Sequence, residues 1–90
     1  MFEIGKLVTT IEVSKAMEKD DRFSYDVINS IRRFVREDWG DIPQEDAQEN
    51  AFAIENGLRI IGAYPTSHKR IWIITEADRS ITTILFPSEY

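Results

Sequence analysis

The run Ile71-Trp72-Ile73-Ile74-Thr75-Glu76-Ala77-Asp78-Arg79-Ser80-Ile81-Thr82-Thr83-Ile84-Leu85-Phe86 constrains this chain more than any other segment. Isoleucine, threonine and aromatic residues fill both arms, and Glu76 to Ser80 is the only polar break, the pattern of strand, turn and strand in a β-hairpin. Alternation places Ile71, Ile73, Ile81, Thr83 and Leu85 on one face, with Trp72, Ile74, Ile84 and Phe86 on the other. Both faces are apolar, whereas a sheet wetted on one side alternates apolar with polar residues. The second face therefore needs a cover: a helix, the first strand or a partner.

The preceding segment, Arg59-Ile60-Ile61-Gly62-Ala63-Tyr64, reads as another strand, followed by a turn at Pro65-Thr66-Ser67-His68. Three consecutive strands with short turns make an antiparallel meander. Residues 3–10 read as a first strand, with Ile4 and Val8 to one side, Leu7 to the other, and Gly5 as a bulge or a close approach. Between them lie three helical patterns. The first covers Ile11 to Lys19, with Val13, Ala16 and Met17 at helical spacing and a start between Thr10 and Ser14. The second has a stripe of Phe23, Val27, Ile31, Phe34 and Val35 with Ile28 beside it, capped by Ser24 or Asp21 and ending near Trp39-Gly40. The third runs from about Pro43 to Asn56, with Gly57 past its end and a buried edge of Ala47, Ala51, Ile54 and Leu58. The order β-α-α-α-β-β-β predicts one α+β domain over residues 1–90. Helices pack on one face of the C-terminal three-stranded meander, and the first strand joins an edge.

Ninety residues with no cysteine leave neither a disulfide framework nor a thiolate metal site, and the single His68 cannot build a histidine-based zinc site. The first residues lack a basic run followed by an apolar segment, so the expectation is a cytoplasmic protein, neither secreted nor inserted in a membrane. Sixteen acidic against eleven basic residues, a net charge of −5, argue against general affinity for nucleic-acid phosphates. A local basic face remains open where Arg32, Arg33 and Arg36 share one helix.

The densest charge lies in Glu37-Asp38-Trp39-Gly40-Asp41-Ile42-Pro43-Gln44-Glu45-Asp46-Ala47-Gln48-Glu49, with six carboxylates and no basic residue. Two readings fit it. Asp41, Glu45 and Asp46 favour the positive end of the third helix while the others are solvated; or Asp38, Asp41, Glu45 and Asp46 form an acidic surface, anchored by Trp39, that binds a basic patch on another protein. A divalent-cation site from Asp38, Asp41 and Glu45 has suitable oxygen ligands, but the spacing matches no calcium loop, so neither metal nor cofactor is expected. In the hairpin turn, Glu76, Asp78 and Arg79 read either as a salt-bridged turn, with Asp78 bonding the backbone two residues on, or as part of the recognition surface. Ser67-His68 lacks an orienting acid, and no glycine-rich phosphate loop is present, so the chain is not expected to be an enzyme. A small carboxylate-based enzyme is the remaining catalytic alternative.

Asp38-Trp39-Gly40-Asp41, Asn56-Gly57 and the closing motif from Ile71-Trp72-Ile73-Ile74 through Glu76, Asp78-Arg79-Ser80 and Thr82-Thr83 to Leu85-Phe86-Pro87, Glu89 and Tyr90 together resemble a family of small plasmid-related proteins from bacterial mobile elements. The resemblance spans nearly the whole chain, with shortening between Asp20 and Phe23 and in the Pro65 to Lys69 turn. It implies an accessory protein in a bacterial cytoplasm and brings no established activity. By analogy of setting, the expected function is a non-enzymatic module that binds a host protein with a basic surface, as an inhibitor of a defence complex such as CRISPR would. The alternative is a self-associating structural or regulatory protein, a homodimer formed through a strand edge or an aromatic patch.

Overall fold

The computed structural model describes residues 2–90. Its elements follow the order β1 (Lys6–Thr9), α1 (Ile11–Lys19), α2 (Asp21–Val35), α3 (Gln44–Asn56), β2 (Ile60–Tyr64), β3 (Ile71–Thr75) and β4 (Ile81–Leu85), then a short 3-10 turn, Pro87–Glu89. The domain is α+β. β2, β3 and β4 form the antiparallel meander, and the sheet order is β1-β4-β3-β2. β1 takes the edge beside β4 but runs parallel to it, pairing Lys6 with Ile81 and Thr9 with Ile84, so the sheet is mixed. A parallel pair needs a long crossover, and the whole helical layer plus β2 and β3 supplies it.

Thr10 ends β1 and caps α1, its hydroxyl accepting from the Val13 N–H. Asp20, rather than Ser24 or Asp21, caps α2: its Oδ1 accepts from Arg22 and Phe23, while its own N–H closes α1 onto Ala16. Ser24 instead donates to the Met17 carbonyl. α2 stops at Val35, short of Trp39-Gly40. The left-handed position belongs to Glu37 (φ 66°), with Glu37 N–H on Phe34 and Asp38 N–H on Arg33. These two bonds are the Schellman pattern built without glycine.

Phe23, Val27 and Phe34 of α2 and Val13 of α1 are buried with Ile60, Tyr64, Ile71, Ile73 and Ile84 of the sheet and Phe86 just after β4. α1 and α2 therefore cover one face, termed here the helix face. Truncating a core phenylalanine such as Phe23 or Phe34 would cost about 3–5 kcal/mol. α3 instead flanks the outer edge of β2. It buries Asn50 and Ala53, while Ala51 and Leu58, assigned to its buried edge from sequence, are exposed.

The hairpin faces also differ from simple alternation. Trp72 pairs with Leu85 and Ile73 with Ile84, so Ile71, Ile73, Ile84 and Phe86 share the helix face. Trp72, Ile74, Thr83 and Leu85 lie on the outer face. A five-residue break would oppose Thr75 to Ile81, but Arg79 adopts φ 61° after the Glu76–Arg79 turn, and Thr75 pairs with Thr82. A one-residue shift turns every side chain of a strand over. Gly5 is a close approach: a Cβ there would lie 2.3 Å from the Arg79 carbonyl oxygen.

Candidate functional site

Between α2 and α3 the chain makes a short addition to the sheet. Ala63 N–H donates to the Trp39 carbonyl and Asp41 N–H to the Ala63 carbonyl, which bridges Gly40 to β2 in parallel. Gly40 is required here, because at φ 76° a Cβ would sit 2.0 Å from the Ala63 oxygen. Asp38 supports the segment from behind: Arg33 Nε and Nη2 donate to its two carboxylate oxygens (2.8 and 3.2 Å), and Gly40 N–H adds a third bond. The Arg33 hydrogen bond, helped by the Gly40 N–H, holds the Asp38 carboxyl below the usual carboxylate range. The Tyr64 hydroxyl donates to the Asp38 carbonyl, and burial pushes that phenol upward, so it stays protonated.

One helical turn further, the Asn50 side chain completes the same strand edge. Its Nδ2 donates to the Ile61 carbonyl (2.8 Å) and its Oδ1 accepts from the Ile61 N–H (3.2 Å), which replaces a neighbouring strand. The edge of β2 is thus closed at Ile61 by a side chain and at Ala63 by backbone.

These fixtures frame a groove of about 570 Å³ on the outer face of the sheet. Its floor is Ile61, Ala63 and Trp72; Ile42 and Pro43 form one side, and Pro87 and Tyr90 the other. Tyr90 meets Trp72 edge-on at 5.4 Å, and its hydroxyl accepts from Arg59 Nη1 at 2.6 Å. The outer face is therefore partly covered by the end of the chain itself. Around the rim, Asp41 lies 3.7 Å from Arg70, whereas Asp46 and Glu49, one turn apart on α3, have no ion-pair partner among the described residues. Two unneutralised carboxylates beside aromatic rings suit a guanidinium or ammonium group, which can lie over a ring face and bond the acids.

The sequence-predicted residues divide. Asp41 and Asp46 line the groove. Glu45 is exposed in the first turn of α3 and does not line it. Asp38 is engaged by Arg33. Trp39 is buried (9 % exposed) against Phe2 and Phe34, so its ring belongs to the core and the surface anchor is Trp72 instead. Glu76 pairs with Arg59 at 3.3 Å and so braces one end of the groove. Asp78 accepts from Ser80 N–H and its hydroxyl within the turn, and those bonds lower its pKa. Arg79 pairs with neither Glu76 nor a helix acid. It donates to the carbonyls of Ala53, Leu58, Glu76 and Ala77, tying the end of α3 to the hairpin turn. Asp38, Asp41 and Glu45 are not brought to a common point as metal ligands: the first two have separate arginine partners, and among the described residues no set of three or more acids or histidine could hold a metal ion.

Sequence reasoning missed Asn50, Arg59, Arg70 and Ile61 as parts of the site. Asn50 carried a signal, a polar residue at helical spacing between Ala47 and Ile54, where a side chain turned inward must find hydrogen-bond partners. Ser67-His68 lies elsewhere. Ser67 N–H donates to Asp26, and the His68 ring packs edge-on against Phe23 and Phe86, beside a separate cavity of about 540 Å³ that contains Lys15, Lys19 and Lys69. Among the described residues no helix is long and apolar enough to cross a membrane. Comparison with protein-family models, curated proteins and solved structures gave no match.

Proposed function

We propose that this protein is a non-enzymatic protein-binding module whose outer-face groove takes a basic segment of a partner protein. The observation that carries this reading is the meeting of two aromatic rings, Trp72 on the floor and Tyr90 on one side, with the unpaired carboxylates of Asp46 and Glu49 in one groove. A basic side chain laid over Trp72 gains from the ring and from both acids, while the aliphatic part of the partner covers Ile61 and Ala63. The surrounding groups are already fixed by Asn50, Arg59 and Arg70, so little ordering is required on binding.

The setting implied by the plasmid-related resemblance makes the partner a host protein in a bacterial cytoplasm. A defence complex such as CRISPR offers basic surfaces of this kind, and occupying one would compete with nucleic acid electrostatically. The test is affinity capture from host extract with the unaltered protein and with an Asp46→Lys, Glu49→Lys variant. The two positions are exposed and their side chains hold no hydrogen bond, so the variant should keep its circular dichroism, with a small drop in thermal midpoint from the lost acid in the first turn of α3, while capture falls at least tenfold. Equal capture of the same partners by a folded variant would defeat the reading.

A further inference from the structure

The two edges of the sheet are treated unequally. At β2, the Asn50 amide and the Trp39–Asp41 backbone occupy the outward groups of Ile61 and Ala63. At β1, Lys6 N–H bonds Ser80 and Thr10 N–H bonds Ile84, so the amides of Lys6, Val8 and Thr10 face β4. Alternation then turns the N–H and C=O groups of Leu7 and Thr9 away from the sheet. Both residues are exposed, and among the described residues no backbone partner meets them. Beside this bare edge stand two exposed apolar side chains, Leu7 at 42 % and Ile11 at 73 %.

We propose that a second copy of this chain pairs here, β1 against β1 in antiparallel fashion about a twofold axis at Val8. An unpaired row of backbone donors and acceptors is complementary to another strand. Among the symmetric registers, the one centred on Val8 opposes Leu7 of each copy to Thr9 of the other, so all four outward residues exchange hydrogen bonds. A register centred on Leu7 or on Thr9 leaves some of them unused. The same pairing carries Lys6 of each copy opposite Thr10 of the other, whose hydroxyl bonds the Glu89 carboxylate that supplies the opposite charge, and brings Ile11 toward the other's Leu7 on the helix face. Charge and apolar surface thus match across the axis, and the closed contact caps the edge in both copies. The groove at the β2 side stays open in such a dimer, because it lies at the other end of the sheet.

Sedimentation equilibrium over a concentration series tests the pairing, together with hydrogen exchange of individual amides. The unaltered protein should pass from monomer to dimer, and exchange at Leu7 and Thr9 should slow by roughly tenfold or more across that transition, while Val8, already bonded within the monomer, changes little. A Leu7→Lys, Thr9→Lys variant places like charges opposite one another and should remain monomeric with an unchanged circular dichroism spectrum. A protein that stays monomeric at about 1 mM overturns the proposal. So does a dimer in which the Leu7 and Thr9 amides exchange as fast as in the monomer. Because the exchange measurement uses the unaltered protein, it decides the matter even where the lysine variant fails to fold.

Discussion

The Thr82 hydroxyl has one proton, which goes to the Ile4 carbonyl at 2.6 Å, so Thr75 must donate its own proton to Thr82 Oγ1 at 2.6 Å. Both threonines are buried on the helix face, and their relay pins the segment before β1 to β4. Thr82→Val keeps the shape but strands a carbonyl and a hydroxyl, and should cost about 1–3 kcal/mol in urea denaturation. Thr75→Val leaves the Ile4 bond intact and should cost less. The double variant should fall short of the sum of the two, since the second loss removes a group already orphaned; strict additivity would contradict the relay. Nothing in the sequence marks Thr82, because threonine is an ordinary strand residue. Asp38 gives a pH-dependent counterpart. Its folded carboxyl titrates below the usual range, so the Arg33 bond stabilises the fold above that range, and the gain is lost as pH falls through the depressed value. Both partners are partly exposed, at 37 % and 53 % of their side chains, which limits the effect to about 1 kcal/mol or less. Asp38→Asn should therefore flatten the acid side of the stability profile, measured as the denaturation midpoint against pH.

At the level of elements, the helices were legible because Pro43, Gly57 and apolar spacing agree with one another over short distances, whereas the cap of α2 was misplaced by one residue or more. α1 starts within its predicted window, α3 lies within a residue of its expected span, and Gly57 takes φ 65° at its end. Where non-glycine residues adopt the left-handed conformation, sequence reading failed: Glu37 ends α2 early, and Arg79 shifts the β4 register. The parallel pairing of β1 was hidden because it is set by residues far along the chain, with no local mark. α3 is the element whose role changed most, from a face-covering helix to an edge guard, and Asn50 is the reason. Asn50→Leu should leave Ile61 N–H and C=O without partners, lose about 1–3 kcal/mol, and speed amide exchange at Ile61 while β3 remains protected. Unchanged exchange at Ile61 would show that the edge is closed by something other than this amide.

Across the whole molecule, the acidic segment was visible in sequence because its charges are consecutive, yet only part of it reaches the groove. The remainder of the site comes from β2, β3, the Pro65–Arg70 connection and the final turn, which only the fold brings together. The need for a cover over the second sheet face was also legible, from Trp72 and Ile74, whereas its identity was not: Tyr90 is adjacent to Trp72 only because the chain turns back after β4. The β1–β4 pairing carries a further consequence, in the order of events during folding. Contacts between Lys6–Thr9 and Ile81–Leu85 close a loop of nearly the whole chain, and such distant pairings form late because their entropy must be overcome before they contribute. A chain emerging from the ribosome can build its helices early but cannot finish its sheet until β4 has been made. During that interval β4, an Ile- and Thr-rich strand, has a free edge, and the speed with which β1 docks sets how long the young protein is open to aggregation.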